Sequence, residues 1–132
     1  MQEYLFLVNF YVNLCRVVSD FREFLFYKKQ FLRFYTELPN SVQKKYDYVF
    51  VTIMQAEQIP IKFFKKLKDS NNLYEIRVES QSNIYRTFCC FDGNNLVILF
   101  NSFQKKSQKT PKKELQKADK LKKEYFDGKE KN

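Results

Sequence analysis

The hydrophobic period of this chain changes at Asn71-Asn72, and that change limits the fold more than any other feature. Before it, apolar residues recur every three or four positions; after it, they alternate. Residues 29–38, KQFLRFYTEL, carry Phe31, Leu32, Phe34 and Tyr35 at helical spacing and stop before Pro39, where a helix is expected to end. A second helix is expected from a cap at Asn40 or Ser41 to about Gln58, ahead of Pro60. Its residues Val42, Tyr46, Val49, Phe50, Ile53 and Ala56 form one apolar stripe. Upstream, REFLFYK (22–28) alternates as a strand does. The segment Ile61 to Lys68, IKFFKKLK, reads as a short basic turn or as chain lying along a sheet edge.

Beyond Asn72 the period is 2. In LYEIRVE (73–79), Tyr74, Ile76 and Val78 share one face, and Glu75, Arg77 and Glu79 the other. NIYRTFCCF (83–91) alternates in the same way, and Asp92-Gly93-Asn94-Asn95 is a hairpin signal. LVILFNSF (96–103) is a nearly continuous apolar run, suited to a strand covered on both faces. Thr110 is expected to cap a last helix with Pro111 at its first position, running to about Phe126 with Leu115, Ala118, Leu121 and Tyr125 inward. The order is strand, helix, helix, a three-stranded antiparallel meander and a basic helix, an α+β arrangement. With 132 residues and no internal repeat or linker, one domain is expected.

The composition removes several chemistries. There is no histidine, which excludes Ser-His and Cys-His nucleophile pairs, two-histidine RNA hydrolysis and His-based zinc sites. Two glycines, Gly93 and Gly128, cannot form a phosphate-cradling loop of the GxGxxG or GxxxxGK type. The three cysteines (Cys15, Cys89, Cys90) have no CxxC spacing, and neighbours on a strand point to opposite faces, so they read as small core residues of a cytoplasmic protein. The apolar run Tyr4 to Cys15 lacks a basic leader and a cleavage site and is short for a membrane helix.

The net charge of +9 is concentrated late: residues 101–132 hold 11 of the 24 basic side chains but 5 of the 15 acidic ones. This segment is either a solvated helix with a ragged tail or a surface that binds phosphates. A membrane partner is not expected, since the basic helix has a modest apolar face without Trp or a run of Leu. Two arginines converge on it. Arg77 and Arg86 sit on neighbouring strands, and Lys105, Lys106 and Lys109 follow the next strand in FQKKSQKTPKKE (103–114). Each arginine has a plain alternative as half of an ion pair with Glu75 or Glu79.

The elements LYEIRV (73–78), YRTF (85–88) and FQKKSQKTPKKE, with Ala118 spaced after them, resemble the HigB branch of the RelE/ParE superfamily of type II toxins. The resemblance covers about residues 22 to 126. It implies a RelE/ParE-like fold and a ribosome-associated messenger-RNA endonuclease silenced by a cognate antitoxin, a helix-turn-helix protein encoded beside it. The implied reaction uses no metal and no cofactor: the ribose 2′-hydroxyl attacks the adjacent phosphate and leaves a 2′,3′-cyclic phosphate and a 5′-hydroxyl. Cations must then surround the phosphate oxygens. Carried over by position, Arg86 in YRTF matches the arginine that holds the scissile phosphate. Arg77 in EIRV matches a basic position of the same cleft, and Lys105 or Lys106 the residue that stabilises charge or feeds the leaving group. Lys65, Lys68, Lys109, Lys112 and Lys113 are the further candidate RNA contacts. Tyr85 is a candidate only through its nearness to Arg86, and reads otherwise as core.

On this reading residues 21–127 are the toxin domain and 128–132 a flexible tail. Residues 1–20 have no counterpart in the family pattern. They are either an extra apolar element or the product of an early start, with translation properly beginning near Val17 or Val18. Two other functions stay open on the same fold: ParE-like inhibition of DNA gyrase by binding alone, and a non-catalytic RNA-binding module.

Overall fold

The structure, a computed structural model, describes residues 16–17 and 21–130. A six-stranded mixed sheet is flanked by helices on both faces. Its strands are β1 (Arg16–Val17), β2 (Glu23–Phe26), β3 (Phe64–Lys66), β4 (Tyr74–Ser80), β5 (Asn83–Asp92) and β6 (Leu96–Lys105). The helices are α1 (Gln30–Thr36), α2 (Asn40–Gln55) and α3 (Lys112–Glu130). The spatial order is β1-β2-β6-β5-β4-β3, with β2 parallel to β6 and every other pairing antiparallel. The expected meander is β4-β5-β6, and the expected first strand is β2. Of the two readings of IKFFKKLK the one along the sheet edge holds, as edge strand β3, and the sheet is wider than expected because Arg16 and Val17 also pair with Leu25 and Phe24. Of residues 1–20, the others, with the apolar run Tyr4 to Cys15, lie outside the described residues.

Alternation divides the core in two. Phe24, Phe26, Ile76, Val78, Tyr85, Cys89, Val97 and Leu99 pack under α1 and α2 against Phe31, Tyr35, Tyr46 and Phe50. Phe88, Cys90, Ile98, Phe100 and Phe103 pack on the other face under Ala118 and Leu121 of α3. Burial on both sides explains the unbroken apolar run in β6. The aromatic content is concentrated around Phe31, whose ring lies 4.9 Å from Phe50, 5.3 Å from Tyr46 and 5.5 Å from Tyr35, centroid to centroid. Such pairs contribute about 0.5–1.5 kcal/mol each beyond the area they bury.

The helix ends differ from expectation. Neither Asn40 nor Ser41 caps α2; Pro39 takes that position, and its carbonyl accepts from the N–H groups of Val42 and Gln43, each at 3.0 Å. At the other end α2 stops at Gln55 rather than Gln58, because Ala56 turns to extended backbone. There the Arg22 guanidinium donates to the carbonyls of Ile53 and Glu57, both at 2.9 Å, and also to that of Ala56. It thus satisfies orphaned acceptors at the negative end of the helix. Likewise Pro111, not Thr110, opens α3, its carbonyl accepting from Glu114 and Leu115. The helix continues past Phe126 to Glu130, so residues 128–130 are helical where a tail was expected. Lys129 and Tyr125 both reach Asp92, which ties this last turn to the β5–β6 hairpin. Gly93 provides the left-handed residue of that hairpin, at φ +81°.

Candidate nucleic-acid site

A single irregularity in β6 decides which basic residues meet. Between Thr87 and Cys89, β5 advances two residues while β6 advances three, from Ser102 back to Leu99. This bulge reverses the alternation of β6. Ile98 and Phe100 face α3, and beyond the bulge Phe103 does so as well. Asn101, at the bulge, donates from Nδ2 to the Glu114 carbonyl at 3.0 Å and to its carboxylate at 2.9 Å, fixing the start of α3.

The register then sets cross-strand rows on that face. Arg77 lies opposite Arg86, which lies opposite Phe103; Glu79 lies opposite Ile84, which lies opposite Lys105. Lys65 of β3 is opposite Glu75, in turn opposite Phe88. Arg77, Arg86, Lys105 and Lys65 therefore share one face of the sheet. Lys106 follows the end of β6 and lines an open groove of about 490 Å³ with Ile84, Lys105, Ser107 and Gln108. Lys109 is exposed in the loop that leaves this end, and Lys112 and Lys113 are exposed in the first turn of α3. Lys68 is not brought to this group. It lies beyond the Lys66–Tyr74 pair, at the end of β4 away from Lys105, in a separate hollow with Asp69, Ser70 and Asn72.

At the centre stands a carboxylate. Glu75 is 6% exposed, and its two oxygens lie 3.5 Å from Nε of Arg77 and 3.6 Å from Nε of Arg86. Both separations are ion-pair contacts longer than hydrogen bonds, and neither Nε, nor Glu75 Oε2, has a hydrogen-bond partner. Arg86 is 2% exposed, deeper than a sheet-face arginine is expected to lie, and donates through Nη1 to the Tyr85 carbonyl at 3.0 Å. Burial pulls its guanidinium below the ordinary arginine range, while the Glu75 charge opposes that shift. The arrangement is a pair of arginines, loosely neutralised by one acid, with hydrogen-bonding capacity unspent. An anion with more acceptor oxygens than a carboxylate can engage such a pair more fully.

Tyr85 is not part of the cluster. Its side chain packs in the other core, 6.3 Å from Phe34 and 6.5 Å from Tyr46 between ring centroids. Cys89 and Cys90 are buried on opposite faces, and burial pushes both thiols up, Cys90 to about 12. They behave as core residues, not nucleophiles. Among the described residues no three His, Cys, Asp or Glu side chains group as a metal site would need. No helix among them is long and apolar enough to cross a membrane.

Among curated proteins no match to the chain is found. The family model for phage-derived protein Gp49-like (DUF891) matches residues 33–123, from α1 through most of α3 and across the whole basic face. That span is more than two-thirds of the 132 residues. The chain belongs to the Gp49-like family, a RelE-like toxin family of toxin–antitoxin systems whose members imply a cognate antitoxin.

Proposed function

We propose that this toxin is a HigB-type endoribonuclease that cleaves messenger RNA on the ribosome without a metal ion. The observation that carries the reading is the Glu75 carboxylate held between the guanidinium groups of Arg77 and Arg86. A phosphodiester carries the same single negative charge, which supports the arginine pair as the holder of the scissile phosphate. In the reaction the ribose 2′-oxygen forms a bond to phosphorus and the bond to the 5′-oxygen breaks. The 2′-hydroxyl loses a proton and the departing 5′-oxygen gains one, giving a 2′,3′-cyclic phosphate and a 5′-hydroxyl end.

Arg86 and Arg77 hold the phosphate oxygens, and their charge matters most as negative charge builds on the pentacoordinate centre. Glu75, released from one arginine by the incoming phosphate, is the acceptor at hand for the 2′-hydroxyl proton. Lys105, one row away on the same face, stabilises charge on the leaving 5′-oxygen and donates the proton that oxygen takes up. Lys106, Lys109, Lys112 and Lys113 continue the positive surface toward α3, and Lys65 extends it at the other edge. The partner that silences the toxin is a small helix-turn-helix antitoxin encoded beside it, and both act in the cytoplasm.

The test is cleavage of a message bound to purified ribosomes, with and without a chelator. Fragments ending in 2′,3′-cyclic phosphate, unchanged by the chelator, support the proposal. Intact message together with inhibited gyrase supercoiling moves the protein to the ParE-like class.

A further inference from the structure

A second cationic hollow lies where α2 meets the β3–β4 edge. It encloses about 320 Å³ and is lined by Lys45, Lys62, Phe63, Arg77 and Glu79. Three cations face one carboxylate. The backbone N–H of Arg77 donates to the Phe63 carbonyl at 2.8 Å, which fixes the wall of the hollow to the strand that carries the arginine pair. Lys45 Nζ sits over two rings, 5.3 Å from the centroid of Tyr48 and 5.8 Å from that of Phe63, and Lys62 Nζ is 4.9 Å from Phe63. Neither lysine is within salt-bridge distance of a carboxylate among the described residues. Both are held by aromatic faces and have donors to spare. Tyr48 packs edge-on to Phe63 at 5.9 Å and leaves 43% of its surface exposed, one of two such exposed aromatic residues, with Phe21, among the described residues.

We infer that this hollow binds a second backbone phosphate of single-stranded RNA, next to the one at Arg86, and that the open ring of Tyr48 stacks a neighbouring base. The inference rests on the RNA reading of the arginine pair. Arg77 belongs to both places, and the lining of the hollow holds a single carboxylate, Glu79. Cations interleaved with an exposed aromatic face are the elements that single strands recognise irrespective of sequence. An acidic protein segment would use the lysines but not the tyrosine face.

The experiment is fluorescence anisotropy of a labelled twelve-nucleotide oligoribonucleotide on the full chain at several salt concentrations. The Lys45→Ala/Lys62→Ala double variant is expected to bind about tenfold more weakly. Its salt slope should fall by about 0.7, the share of one phosphate on a single strand. Tyr48→Ala should lose about fivefold or more with the salt slope unchanged. Lys120→Ala/Lys123→Ala, which removes the same charge from exposed positions on α3, should bind almost as the parent does. Equal losses in the two double variants would overturn the inference, since the effect would then be net charge alone. So would unchanged RNA binding by Lys45→Ala/Lys62→Ala, including the case in which that variant instead loses a ten-residue polyglutamate peptide. If the parent protein binds no RNA at all, the RNA reading fails and this inference with it. Binding that is lost in Arg77→Ala/Arg86→Ala but kept in the lysine variant sinks the second site alone.

Discussion

Arg77 and Arg86 are direct cross-strand partners on β4 and β5, with the carboxylate of Glu75 3.5 Å from one Nε and 3.6 Å from the other. Two guanidinium groups side by side repel, and Arg86 is almost wholly buried. The acid two residues before Arg77 makes that placement tolerable. On the proposed function it also occupies the position that an anionic substrate would take. The cluster carries a cost in stability that Glu75 limits, and on the proposed function that cost is kept for binding.

Replacing Glu75→Gln separates these roles. The variant should lose about 3 kcal/mol of stability, since a buried arginine then lacks its counter-charge. It should bind RNA more tightly, because no internal anion competes for the arginines. If Glu75 accepts the 2′-hydroxyl proton, cleavage should nevertheless fall by about 10²–10⁴. Thermal melts, anisotropy and single-turnover cleavage measure the three separately. Weaker RNA binding in Glu75→Gln would contradict the account.

The bulge in β6 makes a sharper distinction than the sequence allowed between two adjacent lysines. Lys105 is opposite Ile84 on the arginine face, whereas Lys106 follows the strand's end and is exposed. Lys105→Ala should slow cleavage by about tenfold or more, while Lys106→Ala should mainly weaken RNA binding and its salt dependence. Rate measurements at saturating and at low RNA distinguish them. Equal effects on the saturated rate would mean that the bulge does not select Lys105.

Away from the site, Asp47 of α2 is fully buried and accepts a hydrogen bond from the Tyr35 hydroxyl at 2.8 Å, while its other oxygen lacks a hydrogen-bond partner. Burial pushes its carboxyl up to about 6 from an ordinary value of 3.8, with the Tyr35 bond opposing. Because the folded-state value is the higher one, the contribution of this group is fully present below about pH 4. It is lost as the pH rises through about 6. Asp47→Asn keeps the acceptor for Tyr35 without the charge. It should be more stable than the parent by about 2 kcal/mol at pH 8 and lose this advantage near pH 4. Chemical denaturation across pH 4–8 checks this, and parallel stability curves for the two proteins would contradict it.

Most of the layer order was legible from periodicity, because the α1–α2 pair and the β4–β5–β6 meander each bury long regular patterns. LYEIRVE even placed Glu75 and Arg77 on one face. Short or irregular features were not legible. Strand β3 is three residues, two of them lysines, so its pattern left a turn and a sheet edge equally open; it is a strand because β4 offers it backbone partners. The bulge falls inside a run that is apolar on both faces, where a change of parity leaves no mark in the residue pattern. The caps at Pro39 and Pro111 use main-chain carbonyls, which no side chain announces. Lys45 and Lys62 are 17 positions apart and meet only through the packing of α2 on the sheet edge.

On the proposed mechanism the Arg77–Arg86 pair acts on the phosphodiester of a translated message. Mapping of RNA 5′ ends in cells expressing the protein tests this most directly. The parent should create new ends within translated regions, and Arg86→Ala should lower their abundance by about 10²–10³, as expected for a lost oxyanion contact. Arg86→Lys, which keeps the buried charge but not the forked donor, should be folded by circular dichroism and still strongly impaired. Cleavage at parental levels by a folded Arg86→Lys or Arg86→Ala protein would contradict the account.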